Sequence, residues 1–128
     1  MSLHAVIEFT HAPIATPALE LPSREIGARL EFFGIVRERE NDMPLTGLHY
    51  EAHEPMARQY LLRHMEEIRK VHPCEAVHFI HRLGWVPVTE ASLFVRVLSA
   101  HRGEALGFLA ELITRLKTDV PIWKSVAQ

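Results

Sequence analysis

The chain is 128 residues long, 48% of them apolar and 23% charged, with a formal net charge of −2. This length and composition predict one soluble globular domain over residues 1–128, and the charge gives no overall attraction for nucleic acid or an anionic membrane. Cys74 is the only cysteine, which excludes an internal disulfide, and no apolar run reaches the roughly 20 residues of a membrane span, so a cytoplasmic location is expected.

Three strands are predicted in the first part of the chain. Residues 4–10 alternate apolar and polar side chains, residues 27–37 form a stronger candidate, and a third strand is predicted over residues 45–52. Three prolines make residues 11–24 an irregular connection. Residues 37–44 are a charged loop in which an Asn-Asp pair and a proline favour a turn.

A helix is predicted over residues 55–72, with its proline in the first turn. Its expected apolar face consists of Met56, Tyr60, Leu61, Met65 and Ile68. Two more strands follow over residues 76–84 and 91–99, with a turn expected around Gly84 and Pro87.

The last helix is the clearest element, because its apolar residues recur at the i, i+3, i+4, i+7 spacing of a core-facing stripe. The residues of this stripe are Ala105, Leu106, Leu109, Leu112, Ile113 and Leu116. Lys117 falls at the edge of the stripe at 100° per residue. Pro121 pushes Val120 toward an extended conformation, so the helix is expected to end before Val120. The order of elements describes an α+β domain with a mostly antiparallel sheet and two main helices.

Nine histidines raise the question of a metal site. His49 and His53 share one side of a predicted strand, but at four residues apart they are separated by roughly 13 Å. That is too far to share an ion. His78 and His81 point to opposite faces of another strand. We therefore expect no metal site.

Two basic stretches are candidate anion sites. Residues 99–104, SAHRGE, join a strand to the last helix, where unpaired N–H groups attract anions and where His101 and Arg102 add charge. Arg37 and Arg39, two apart at the start of the charged loop, could clamp a phosphate from one face. A simple strand-to-helix connection and a solvated hairpin loop remain the structural alternatives.

The chain uses eleven arginines but only three lysines, two of which stand close together in LKTDVPIWK, residues 116–124. Arginine cannot release its proton, whereas a desolvated lysine can act as an acid, a base or a nucleophile. Lys117 ends the last helix, and Lys124 lies on an extended tail beside Trp123. If the tail folds back, both amines approach one pocket, with Trp123 and Ile122 excluding water. Otherwise Lys117 complements the helix dipole and the tail is a frayed basic end.

Several stretches together resemble the large, catalytic subunit of molybdopterin synthase. They occur in the order and at the spacing of that family over about residues 27–125, and the most specific feature is SAHR followed by LKTDVPIWK at the far end of the same predicted helix. The stretches are GARLEFFGIVR, LHYEAHEPMA, HRLGWVPV, LSAHRGEA and LKTDVPIWK.

The resemblance implies an α/β hammerhead fold and a homodimer within a heterotetramer. Each protomer would bind a small ubiquitin-like sulfur-carrier subunit, whose C-terminal Gly-Gly enters the large subunit's pocket as a thiocarboxylate. Two sulfurs would be transferred in turn to cyclic pyranopterin monophosphate, forming the dithiolene of molybdopterin in molybdenum cofactor biosynthesis. This sulfurtransferase chemistry calls for neither a metal nor a redox cofactor.

The resemblance also assigns roles to individual residues. Lys117 and Lys124 match the two pocket lysines, with Lys117 nearest the carrier's terminus. The residues that match the phosphate-holding and pocket-lining positions are His101, Arg102, Arg37 and Phe33. Arg39 is added as a substrate contact from the loop argument alone.

In that family the chain commonly continues beyond the WK, with an Arg that reaches the neighbouring protomer's pocket, whereas the last residue here is Gln128. Two alternatives to the enzyme stay open: a non-catalytic module that binds a ubiquitin-like carrier, and a different small phosphate-handling enzyme. The lysine pair opposes the first alternative, and the PIWK segment opposes the second.

Overall fold

A computed structural model describes residues 3–126, which form nine strands and two α-helices. In chain order these are β1 (His4–Thr10), β2 (Ala28–Ile35), β3 (Arg39–Glu40), β4 (Met43–Pro44), β5 (Gly47–Ala52), α1 (Glu54–Ile68), β6 (Ala76–Arg82), β7 (Gly84–Pro87), β8 (Ala91–Ser99), α2 (Arg102–Asp119) and β9 (Ile122–Val126). Residues 1–2 and 127–128, the two ends of the expected domain, lie outside the described residues. The predicted α+β class is confirmed.

The larger sheet contains four strands in the order β1-β6-β8-β2. β1 runs parallel to β6, while β8 runs antiparallel to both β6 and β2. Alternate side chains along each strand face the helices. One such set of neighbours consists of Phe32 on β2, Val95 on β8 and Phe79 on β6, in which Val95 pairs with both of the others. Val95 and Phe79 are completely buried, so the main core lies between this sheet and the helices.

α1 begins after His53, whose Nδ1 accepts a hydrogen bond from the Met56 N–H at 3.3 Å. Its buried residues are Ala57, Leu61, His64, Met65 and Ile68. The predicted apolar face is therefore wrong at Met56, which is 41% exposed. Ala57, turned by 100° from Met56, takes the buried position in the first turn.

α2 ends where the sequence predicts, because Val120 is extended (φ −84°, ψ 131°) and Pro121 follows it. The fully buried Phe108 joins the predicted stripe of this helix in the core. The predicted stripe is wrong at Leu106, which is 55% exposed because it lines an open cleft at the N-terminus of α2.

A smaller sheet has the order β7-β5-β9, and both of its pairings are antiparallel. The turn predicted around Gly84 and Pro87 is wrong, since these residues bound β7, in which the completely buried Val86 pairs with Leu48. The chain reverses instead at residues 88–90, where Thr89 has a φ of 79°. Pairing with β5, distant in sequence, outweighs the local turn preference.

The charged loop contains a small hairpin of β3 and β4. Its two turn residues, Asn41 and Asp42, have φ values of 50° and 64°, a left-handed conformation that Asn and Asp tolerate better than most residues. The predicted Asn-Asp turn is therefore present, within an unpredicted pair of short strands.

Residues 11–24 contain neither helix nor strand, as predicted. The buried Arg96 on β8 holds this connection, since its guanidinium donates to the carbonyl oxygens of Pro17 at 2.8 Å and Ala18 at 3.2 Å. Its Nε also donates to Glu31 at 2.6 Å. Neither helix within residues 3–126 combines the length and the apolar character needed to cross a membrane.

Candidate functional site

The junction between α2 and β9 contains both candidate lysines. Lys117 lies in the last turn of α2, and Lys124 lies in the middle of β9. β9 folds back along β5, so that Lys124 is opposite Tyr50, and the N–H of His53 donates to the Pro121 carbonyl at 3.2 Å. The C-terminal tail thus has a defined place in the smaller sheet.

Lys124 forms an ion pair with Glu40 of the β3–β4 hairpin, with 2.5 Å between Nζ and Oε1. Half of the Lys124 side chain is exposed, whereas that of Glu40 is 24% exposed. Sequence reasoning did not select Glu40; the only signal was the alternation of charges in RERE. The pair joins the hairpin to β9 and gives Lys124 a counter-charge.

Lys117 is exposed, and within residues 3–126 its side chain has no ion-pair or hydrogen-bond partner. The expected position at the edge of the buried stripe is therefore wrong, because Leu116 and Val120 fill that boundary of the core. Trp123 is 57% exposed and Ile122 packs into the core, so neither encloses the amines in this chain alone.

Tyr50, the cross-strand neighbour of Lys124, packs against an uncharged histidine. The Tyr50 ring packs edge-on against His81 at 5.0 Å between centroids. Burial lowers the pKa of His81 to about 4, despite a hydrogen bond to the Arg82 carbonyl that acts in the opposite direction, so the imidazole is neutral at neutral pH.

The N-terminus of α2 forms the second part of the candidate site. His101 is the N-cap and makes no side-chain capping hydrogen bond, and Arg102 is the first helical residue. A surface cleft of about 520 Å³ opens there. Its lining residues are Gly27, Ala100, His101, Arg102, Gly103 and Leu106. An open cleft with two basic side chains at a helix N-terminus can hold an anion.

Arg37 and Arg39 do not share one face of a strand, contrary to the sequence-based interpretation. β2 ends at Ile35, so Arg37 lies in the connection, while Arg39 belongs to β3, where its Nη1 donates to the Asp42 carbonyl at 3.5 Å. Both side chains are exposed. The first strand of the hairpin begins at Arg39, so only Arg39 of the two cations lies on a strand.

Phe33 lies on the face of the larger sheet that points away from the helices. Its ring packs against Phe94 at 5.1 Å between centroids, and it is 41% exposed. It is available to line a pocket with another molecule.

The candidate residues fall into two groups at opposite ends of α2. Arg102 and Lys117 are 15 residues apart in this helix, which corresponds to about 22 Å of axis. β2 extends in the same way from Ala28, next to the cleft-lining Gly27, to Ile35, two residues before Arg37. One chain therefore does not bring His101 and Arg102 together with the lysines.

Sulfur and metal chemistry of the chain's own side chains is limited. Burial raises the pKa of Cys74 to about 12, which keeps it a thiol at neutral pH and a poor nucleophile. In the described part of the chain, no three His, Cys, Asp or Glu side chains are grouped so that they could hold a metal ion.

The chain is similar in sequence and in structure to known proteins. The model of the family described as MoaE protein matches residues 9–119. The chain is 40% identical over 98 residues to the molybdopterin synthase catalytic subunit of Homo sapiens, a match that covers 77% of this chain and 52% of the human protein. It is 38% identical over 119 residues to the protein of the same name from Bacillus subtilis (strain 168), covering 91% and 76% of the two chains.

The chain thus spans about half the length of its human relative. Among solved structures, it is similar to the X-ray crystal structure of molybdopterin synthase from Staphylococcus aureus, with a TM-score of 0.82 and 30% sequence identity. That similarity covers 94% of this chain and 89% of the other.

Proposed function

The chain belongs to the MoaE protein family, and from this premise we propose that it is the catalytic subunit of a molybdopterin synthase. It would transfer sulfur from a small ubiquitin-like carrier, thiocarboxylated at its C-terminal Gly-Gly, to cyclic pyranopterin monophosphate. Two such transfers form the dithiolene of molybdopterin. The reaction calls for no metal or redox cofactor.

The observation that carries this proposal is that three cationic side chains are exposed and lack a counter-ion. Arg37, Arg102 and Lys117 are exposed, and none of them has an ion-pair partner within residues 3–126. A thiocarboxylate and a phosphate are both anions, and a chain with a net charge of −2 needs local cations of this kind to bind them. The positions agree with those that the family resemblance selects.

The roles follow from the surroundings of each group. Lys117, without a counter-ion, is assigned the acid–base work at the carrier's terminus. Lys124 is assigned an orienting role, because Glu40 already neutralises its charge. The residues assigned to hold or enclose the substrate are His101, Arg102, Arg37, Phe33 and Arg39.

The separation of the two groups supports a homodimer within a heterotetramer. About 22 Å between the cleft at Arg102 and the Lys117 end of α2 exceeds the reach of one small substrate. A second protomer that brings its own cleft to the first protomer's lysines would complete the site, and a symmetric dimer would contain two such sites. We further propose that residues 1–128 form one domain and that the enzyme is cytoplasmic.

Carrier binding and turnover test this function together. Isothermal titration should give clear affinity for a full-length carrier and much weaker affinity for one that lacks the final Gly-Gly, since extended-tail capture dominates this recognition mode. A single-turnover assay with thiocarboxylated carrier should then yield the dithiolene product. Equal affinity for the two carriers would contradict the proposal, and binding without product would favour the non-catalytic module.

Mixed dimers test the shared site. Lys117→Ala and Arg102→Ala each damage one half of every site, but a mixed dimer of the two variants retains one intact site. Random mixing should therefore restore about a quarter of the parental sites. No recovery after subunit exchange, verified by mass spectrometry of the mixed dimer, would place both residues in one protomer's site.

A further inference from the structure

A row of charged and polar side chains connects α1 to the end of α2, outside the residues assigned to the reaction. His64 is 8% exposed, and its Nε2 lies 2.5 Å from Asp119 Oδ1. Its Nδ1 lies 3.1 Å from Arg115 Nη1. Arg115 also pairs with Glu67 at 2.5 Å and with Glu111 at 3.1 Å.

The direction of the hydrogen bonds follows from the chemistry of arginine. A guanidinium group only donates, so His64 Nδ1 must be the acceptor, and the ring proton is on Nε2, which donates to Asp119. The hydrogen bonds from Arg115 to Glu111 and Glu67 raise its pKa, and the bond from Arg115 lowers the pKa of Glu67. Both partners are therefore charged, and His64 is held in one tautomer.

Asp119 has no favourable role in α2 itself. It is the last residue of the helix, where a negative charge opposes the helix dipole. The hydrogen bond from a buried imidazole on the other helix offsets this cost. The side chain at position 119 is therefore explained by its contact with His64, which fixes the last turn of α2 against α1.

The position of this contact matters, since Asp119 lies between the two lysines. Lys117 is two residues before it and Lys124 five residues after it. We propose that His64, Arg115 and Asp119 form an α1–α2 clamp, in which His64 is a positioning residue that fixes the helix end and thereby the orientation of the two lysine amines. The effect of the clamp on turnover rests on the proposed function, whereas its effect on the structure of the α2–β9 junction does not.

The junction itself is tested without carrier or substrate. His64→Leu keeps a similar volume but loses both hydrogen bonds, whereas His64→Gln retains a donor and an acceptor on a side chain of similar reach. Hydrogen exchange followed by mass spectrometry should show faster exchange over residues 116–124 in His64→Leu, with little change in His64→Gln. Unchanged exchange in a folded His64→Leu would overturn the clamp.

Turnover is the second measurement. Rates measured over a range of substrate concentrations at saturating carrier should show a loss of about tenfold in kcat for His64→Leu with KM nearly unchanged, because misplaced amines slow the reaction more than they weaken binding. His64→Gln should recover most of the rate. A rate lost in proportion to the unfolded fraction, measured by circular dichroism at the assay temperature, would reduce His64 to a structural residue.

A matched control and a double variant complete the test. Glu66→Gln breaks an i, i+3 ion pair with Arg69, the C-cap residue of α1, and should change neither readout. His64→Leu combined with Asp119→Ala should be no worse than His64→Leu alone, since His64→Leu already removes the contact with Asp119. Additive losses would contradict the clamp. If the parent protein transfers no sulfur, the exchange experiment still decides the positioning of the junction, while the proposed function fails separately.

Discussion

Glu40 Oε1 lies 2.5 Å from Lys124 Nζ, an ion pair between residues 84 positions apart in the chain. Glu40→Gln removes the negative charge while keeping the size of the side chain. We expect carrier affinity to rise about twofold to fivefold at low ionic strength, because Lys124 then presents a full positive charge to the anionic tail. Titration calorimetry at two salt concentrations measures this, and the gain should shrink at the higher one.

Glu38→Gln is the matched control for this variant, because Glu38 precedes the same hairpin, is exposed and has no ion-pair partner within residues 3–126. Equal effects of the two substitutions would mean that only net charge matters and that the contact with Lys124 does not.

Substitutions at Lys117 test whether its amine acts as a fixed positive charge or as a group that releases its proton. Arginine preserves the charge but cannot be deprotonated, so Lys117→Arg should lose nearly as much turnover as Lys117→Ala, at least about 100-fold. Both variants should still bind the carrier, and Lys124→Arg should retain more activity. Single-turnover product formation is the measurement. Lys70→Arg, at an exposed position after α1, should be neutral. A Lys117→Arg enzyme near the parental rate would show that a fixed charge suffices.

Arg102 tests the cleft at the start of α2. Arg102→Ala should raise the KM for the phosphate-bearing substrate roughly tenfold or more, as expected for loss of a charge-assisted hydrogen bond, and should make substrate binding less sensitive to salt. Arg63→Ala removes the same charge from α1, where Arg63 lies over the Tyr60 ring, and should leave KM unchanged. Parental KM and salt dependence in Arg102→Ala would show that Arg102 is an ordinary solvated side chain that does not bind the substrate.

The lowered pKa of the buried His81 should make the free energy of unfolding depend on pH. Its pKa is about 4 in the folded chain and 6.5 in the unfolded chain, so between these values the unfolded state binds more protons. The free energy of unfolding should therefore fall as pH decreases from about 6.5 to 4, by on the order of 3 kcal/mol, and should not change for this reason above 6.5. Urea unfolding at several pH values measures the slope.

His81→Phe should remove this part of the slope, because it eliminates the titrating ring and keeps an aromatic group beside Tyr50. His4→Gln, at an exposed position on β1, should keep it. Parallel pH profiles for the parent and His81→Phe would show that another group is responsible.

Local patterns predicted the elements whose causes are local. Pro121 ended α2 before Val120, and the alternation of residues 4–10 predicted β1 with the observed bounds. β7 was missed, because Gly84 and Pro87 favour a turn locally and only pairing with β5 makes them a strand.

In the candidate site, too, local features could be predicted and contacts between distant residues could not. The basic residues could be selected from the sequence, but their grouping depends on contacts far apart in the chain. Helical periodicity placed Lys117 near the core, yet Leu116 and Val120 occupy that boundary. Neither Glu40 beside Lys124 nor Asp119 beside His64 leaves a periodic signal, because each contact joins two residues that are more than fifty positions apart in the chain.

The unbroken length of α2 has a consequence for how such a chain can vary. One helix sets both the spacing and the relative rotation of the Arg102 cleft and the Lys117 amine. Inserting a single residue within it would shift its two ends by about 1.5 Å and rotate them by about 100° against each other, which would turn the amine away from its place at the junction. α2 therefore acts as a molecular ruler, and related chains should differ in length in the irregular connection over residues 11–24 rather than in this helix.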